Sequence, residues 1–204
     1  MQPTYGARIW LSIVILISLT IAACATRYIK PTTVRNPAPS EKFSAFTRFE
    51  LQRVSLDSTY AEHNANQRAT ARIQEYFDGR VAPIVDKWNR APQSGGIRTL
   101  VIQPRIEHIK FIGGGARFWA GPIAGSSAVI MKVKYIDKNS GKLVAEPEFF
   151  QRAAAWSGAF TVGGQDNAML ARIVTLVAEY TNGNYDSAVG GPSGATEELV
   201  NATD

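Results

Sequence analysis

The stretch Ala128-Val-Ile-Met-Lys-Val-Lys-Tyr-Ile136, followed by Asp137-Lys-Asn-Ser-Gly-Lys142, decides how this chain folds. Val129, Met131, Val133 and Tyr135 alternate with Lys132 and Lys134. That period of two sends apolar side chains to one face of a β-strand and charged ones to the other. The polar hexapeptide with its late glycine suits a reversing turn, so Leu143 to Trp156 is predicted to return as the antiparallel partner. On the upstream side, Arg98 to Ile112 is strand-like, and Pro104 within it predicts a bulge or an edge position because proline donates no ladder hydrogen bond. Gln93-Ser-Gly-Gly96 reads as a turn.

Farther upstream, Phe49, Leu51 and Arg53 alternate with Arg48, Glu50, Gln52 and Val54, a partial strand signal within the stretch Phe43–Val54. Asp57-Ser-Thr-Tyr60 supplies a helix N-cap, and a helical stretch runs to about Trp88. Ala69, Ile73, Tyr76 or Phe77, Val81, Ile84, Val85 and Trp88 recur at helical spacing as one apolar stripe, and Pro83 is expected to break or restart the helix. Downstream, Ser157 to Gly164 is a glycine-rich connection. Asp166 is placed to cap a last helix whose stripe is Met169, Leu170, Ile173, Leu176, Val177 and Tyr180. The predicted fold is α+β, a mostly antiparallel four-stranded sheet with two helices packed on one face. Residues 43–181 form this single domain. Residues 24–42, with three prolines, are expected to be a flexible tether spanning some tens of Å at roughly 3 Å per residue. Residues 182–204 are expected to be a disordered tail.

The N-terminus carries an address. Arg8 is followed by an uncharged apolar run from Ile9 to Ala23. The run is shorter than the about 20 residues that span a bilayer, and it fits the apolar core of a secretory signal. Ile21-Ala22-Ala23-Cys24 closes it and resembles the lipobox of bacterial lipoproteins. The resemblance implies that residues 1–23 are a removed signal peptide, that cleavage falls between Ala23 and Cys24, and that Cys24 is the lipid attachment site. Cys24 is the single cysteine of the chain, so no intramolecular disulfide competes for it. Several acyl chains on one residue meet the requirement for stable anchoring. Ala25 after the cysteine, with no aspartate there, implies sorting to the outer membrane by the same resemblance.

The chain of 204 residues has 22 Lys and Arg against 17 Asp and Glu, a net charge of +5. The cations are scattered, with no run of five, which speaks for a solvated surface or nearby anionic lipid headgroups and against a nucleic-acid partner.

Chemistry is sparse. His63 and His108 have no second imidazole at metal-ligand spacing, and Cys24 is committed to lipid, so neither a metal nor another cofactor is expected. Ala124-Gly-Ser-Ser-Ala128 lacks the spacing of a nucleophile elbow, and so does Gly190-Gly-Pro-Ser-Gly-Ala195. Gly113-Gly-Gly-Ala-Arg-Phe118 matches no phosphate-binding loop, and neither does Gly163-Gly-Gln-Asp166. Glu146 and Glu148 have the spacing of a carboxylate pair, but Pro147 between them predicts an exposed strand edge instead. The chain reads as non-enzymatic. The unusual segment is Phe111 to Ser127, with five glycines, Phe118 and Trp119 adjacent, and Arg117 as its one charge. It is either a hairpin connection whose aromatics fold back on the core, or an exposed loop whose Arg117, Phe118 and Trp119 contact a partner or a membrane.

The glycine-aromatic loop, the strand Val129–Ile136, the turn Asp137-Lys-Asn-Ser-Gly-Lys-Leu-Val144 and the closing helix together resemble the bacterial lipoprotein family called domain of unknown function 4410, over roughly residues 97–182. The hairpin motif is also similar to the uncharacterised lipoprotein family 3313. The resemblance implies a small α+β lipoprotein domain and carries over no catalytic residue. The expected function is an envelope lipoprotein, a periplasm-facing binding or assembly module. Its partners are the bilayer, reached through the acylated N-terminus, an envelope protein and possible further copies of itself. The alternative is an oligomeric secretion or pore component of the outer membrane.

Overall fold

The computed structural model describes residues 29–92, 96–111, 127–153 and 164–202. Its centre is a two-strand antiparallel ladder of β4 (Thr99–Lys110) and β5 (Ala128–Asp137). Val129, Met131, Val133 and Tyr135 are all fully buried, as the alternation requires. The outer lanes of the sheet are each split in two. On one side β2 (Arg48–Leu51) and β3 (Ser55–Leu56) lie end to end beside β4. On the other side β6 (Leu143–Ala145) and β7 (Glu148–Arg152) do the same beside β5. The result is a six-stranded mixed sheet rather than a four-stranded, mostly antiparallel one.

The mixing has a physical cause. Both β2 and β3 pair with β4 in parallel, because a strand that reaches its neighbour through helices must run the same way. The crossover is α1 (Ser58–Ala61), α2 (Asn64–Arg80) and α3 (Ala82–Arg90). Asp57 caps α1, accepting a hydrogen bond from the Thr59 N–H at 3.0 Å. Val81 joins α2 to α3 and Pro83 stands in the first turn of α3, where a missing N–H costs no helical bond. Phe77, not Tyr76, takes the core position. The predicted return strand from Leu143 is interrupted at Glu146-Pro147, where the Pro147 carbonyl accepts from Val133 N–H at 3.1 Å.

Pro104 sits neither on an edge nor in a bulge. It pairs with Val133 in a central strand. Its carbonyl accepts from Ser55 Oγ at 3.2 Å, so its missing N–H points to the same side, into the gap where β2 has ended and β3 has not begun. The bulge lies farther along, between Ile106 and His108. It leaves Glu107 as the extra residue and returns Ile109 to the core. The free edge of β2 is closed by side chains of the crossover helices. The Asn89 carboxamide bonds both the N–H and the C=O of Phe49 at 2.9 Å, and Gln74 Oε1 accepts from Val54 N–H at 2.8 Å.

The helical layer on one face is α2, α3 and the long α4 (Gly164–Gly183). Asp166 lies in the first turn of α4, and Met169, Leu170, Ile173, Val177 and Tyr180 are buried. Phe43 stacks on Tyr135 with ring centroids 4.6 Å apart. Tyr135 donates to Thr181 Oγ1 at 2.6 Å, since that hydroxyl already donates to the Val177 carbonyl. Burial pushes the Tyr135 hydroxyl well above the usual phenol range.

The two ends of the chain depart most from expectation. Neither the tether beyond Ile29 nor the tail through Ala202 is loose. β1 (Arg35–Asn36) pairs antiparallel with β8 (Gly191–Pro192). Tyr185 stacks on Trp88 at 4.4 Å. A short α5 (Glu197–Asn201) closes the chain. Ile29, Ala128, Ile130, Phe150 and Ala195, with Leu199 and Val200, form a second apolar cluster. The even-numbered side chains of β5 take part in it, so it lies on the sheet face opposite the main helices. A face carrying Ile130 and Phe150 cannot stay in water without cost, and the termini cover it.

Candidate functional site

The bulge in β4 shapes a polar cleft that gathers ionisable groups. Asp57, Thr59, Tyr60, Arg105, Glu107 and His108 line a cleft of about 290 Å³. His108 Nδ1 is 2.9 Å from the Tyr60 hydroxyl, with the rings edge-to-face. Asp57 accepts from the Thr59 backbone N–H and is paired with Arg105. The Thr59 hydrogen bonds and then Arg105 hold its carboxyl down at about 2. Glu107 is 3.2 Å from Lys132 Nζ. Both carboxylates are therefore paired with cations, and the imidazole has the Tyr60 phenol for its partner. Such a cleft can hydrogen-bond a surface. His63 stands apart, at the N-terminus of α2. Among the described residues no three His, Cys, Asp or Glu side chains come together as a metal site.

Glu146 and Glu148 separate. Glu146 lies 3.6 Å from Lys134. Glu148 is not at an exposed edge but is 5% exposed. Its Oε1 accepts from Thr32 N–H at 2.7 Å and Thr32 Oγ1 at 2.9 Å, and its own backbone exchanges two 2.8 Å bonds with the Asn36 carboxamide. Glu148 is a fastening for the N-terminal segment.

A second charged constellation, unremarked in the sequence, surrounds Arg98. Its guanidinium takes Glu41 on two nitrogens at 2.7 Å and Asp137 Oδ2 at 2.9 Å, and it lies over the Phe46 ring at 4.2 Å. Arg98 holds the Asp137 carboxyl at about 2 and lowers Glu41 as well. The three side chains lock the approach to β2 onto the β5–β6 hairpin, a structural role.

Asn184 and Ser193 complete the closure of the termini. Asn184, fully buried, gives Nδ2 to the Tyr180 and Gly190 carbonyls and receives the N–H groups of Val189 and Gly190 on Oδ1. The Ser193 carbonyl accepts from Phe150 N–H at 2.8 Å, and its hydroxyl donates to Thr33 O at 2.6 Å. The composition of this segment predicts a tail because Gly, Asn and Ser bury little apolar area. The signal available was local: Asn184 ahead of a run containing Gly190, Gly191 and Gly194 is turn chemistry.

Ala23, Cys24, Arg117, Phe118 and Trp119 lie outside the described residues. Their connections are nonetheless fixed. Cys24 is five positions before Ile29, and Arg117–Trp119 belong to the segment joining the last residue of β4 to the first of β5. Among the described residues no helix is long and apolar enough to cross a membrane.

No family model matches the chain, so neither domain of unknown function 4410 nor lipoprotein family 3313 is confirmed. No curated protein matches it in sequence either. Among solved structures, the PelC dodecamer from Paraburkholderia phytofirmans is 15% identical, covering 70% of this chain and 95% of that one, with a TM-score of 0.38. A Xanthomonas campestris protein of the domain-of-unknown-function 330 family is 9% identical, covering 74% and 92%, with a TM-score of 0.40. A Caulobacter crescentus structure described as a candidate lipoprotein is 11% identical, covering 64% and 82%, with a TM-score of 0.28. The chain itself defines a mixed-sheet α+β module, helices on one face and its own termini on the other.

Proposed function

We propose that this chain is an envelope lipoprotein, anchored by acylated Cys24 to the outer membrane and facing the periplasm, whose domain is a non-enzymatic binding or assembly module. The observation that carries the reading is Ile21-Ala22-Ala23-Cys24 at the end of an uncharged apolar run, five positions ahead of Ile29, which is buried in the domain's second apolar cluster. A precursor cut at this cysteine leaves a lipid next to a folded domain. The cleft at His108, with its carboxylates already paired, supports binding over catalysis. Arg117, Phe118 and Trp119 are the proposed contacts with membrane or partner.

Cys24→Ala tests the anchor. The substituted chain should accumulate as uncleaved precursor, while the wild type incorporates labelled palmitate and is blocked by an inhibitor of the lipoprotein signal peptidase. Equal palmitate labelling of the two would refute the assignment. Ring-shaped oligomers in micrographs of detergent extracts would shift the reading to a secretion or pore component.

A further inference from the structure

We propose that the end of the sheet marked by the row Lys110–Ala128–Arg152, with Lys30 beside it, is the end of the domain that faces the lipid bilayer; Ala128 and Ile29 are themselves buried there. This placement rests on the anchoring through Cys24 proposed above. The course of the N-terminal segment carries it. Asn36 is bonded to the Glu148 backbone, and Thr32 to the Glu148 carboxylate. Ile29 then packs with Ala128, Ile130 and Phe150. Followed back from residue 36 to residue 29, the segment therefore runs along β7 from its first residue toward its last.

Sheet register fixes what lies at that end. Lys110 is opposite Ala128, and Ala128 is opposite Arg152. Cross-strand partners point to the same face, so all three share the face occupied by Ile29. Beyond Ile29 only Ala25-Thr-Arg-Tyr28 separates the domain from Cys24. Five residue steps reach at most about 18 Å when fully extended. Ile29 is therefore held within about that distance of the headgroups. β5 then leads away for roughly 30 Å to its far end, where Lys138 follows Asp137. A link this short does not let the domain tumble freely on a leash, so one end of the sheet stays near the membrane.

The composition of that end suits the position. Lys30, Lys110 and Arg152 are each half-buried; Lys30 Nζ donates to the Ala202 carbonyl at 2.5 Å and Arg152 Nη1 is buried, which leaves Lys110 as the cation of the row best placed to meet an interface. Arg27 and Tyr28 in the link are residue types that settle at headgroup level. Glu197 and Glu198 open α5 beside the same cluster, so position relative to the anchor, not net charge, is what selects this surface.

The test uses the full-length, membrane-extracted protein in vesicles of phosphatidylcholine and phosphatidylglycerol, with one environment-sensitive fluorophore on Lys110→Cys or on Lys138→Cys. Acylated Cys24 has no free thiol, so the new cysteine alone takes the label. Quenchers carried on the lipid headgroups should quench the Lys110→Cys label several-fold more than the Lys138→Cys label. Equal quenching, or the reverse order, overturns the placement. Arg152→Cys provides a second position on the row if Lys110→Cys melts well below the wild type. Protein that takes a second label at Cys24, or does not float with the vesicles, overturns the anchoring reading itself, a failure distinguishable from wrong orientation.

Discussion

One carboxamide, that of Asn184, ties the Tyr180 carbonyl of α4 to three backbone groups of the segment that follows. Asn184→Ala strands two shielded N–H donors, each costing about 1–3 kcal/mol. The loss should be about 3 kcal/mol or more, and the thermal midpoint should fall by roughly 6–12 °C, as read by circular dichroism. A residue in a disordered tail would show no change. Asp137 makes a different prediction. Its carboxyl sits at about 2 in the folded chain because Arg98 bonds it, against about 3.9 in an unfolded one. A depressed carboxylate contributes stability that is fully present above the unfolded value and is lost as pH falls through the folded one. The gap in urea midpoint between wild type and Asp137→Asn should therefore be constant near neutrality and shrink between about pH 4 and pH 2. A gap unchanged down to pH 2 would mean that the Arg98 pair is not its source. The sequence offered no sign of this pairing, since Arg98, Glu41 and Asp137 are far apart in the chain.

At the scale of elements, the strand and helix segments were largely legible, and their pairing was only half so. The odd residues of β5 gave its buried face directly. The direction of β2 and β3 was also implied, because a strand–helix–strand unit in one sheet is parallel; the antiparallel expectation extended the rule for the β5–β6 hairpin too far. The split edge lanes could not be read. Pro104 signalled a defect in the ladder, but only the pairing shows that the defect faces the break between β2 and β3. The β1–β8 ribbon depends on Gly190, at φ 72°, whose added Cβ would come within 2.3 Å of the Asn36 carbonyl oxygen. Gly141 has the same φ in the β5–β6 turn with open space around it. Gly141→Ala should cost only the left-handed penalty of about 1–2 kcal/mol. Gly190→Ala should cost clearly more, and amide exchange should accelerate at Phe150 and Ser193. Equal costs for the two would argue that the ribbon contributes nothing.

For the whole molecule, the terminal segments turn a one-faced sandwich into a closed one, and bring Ile29 to the Ala128 end of the sheet. The charged face left beside them carries the pairs Lys138 with Glu50, Lys134 with Glu146 and Lys132 with Glu107. The proposed contact residues Phe118 and Trp119 make the last prediction. Replacing both with Ser should leave the thermal midpoint within about 2 °C while lowering self-association of the detergent-solubilised protein in ultracentrifugation. A fall of roughly 10 °C or more would place them in the core instead, since truncating one buried aromatic costs about 3–5 kcal/mol.

The sequence by itself determined the buried face of β5, the apolar stripes of the helices and the turn at Gly141, and it carries the motif Ile21-Ala22-Ala23-Cys24. Each of these is written in neighbouring residues, through side-chain periodicity, backbone conformational preference or a contiguous motif. Only the tertiary structure decided that β2 and β3 share a lane, that Glu148 fastens the N-terminus, that Arg98 gathers Glu41 and Asp137, and that Asn36, Asn184 and Ser193 bind the two ends together. Most of those outcomes depend on polar groups far apart in the chain satisfying one another, from a separation of 39 residues for Arg98 and Asp137 to 116 for Thr32 and Glu148. Local composition gave the terminal segments too little apolar area to fold alone. They order because Ile130 and Phe150, on a sheet built by other residues, supply the surface against which they pack.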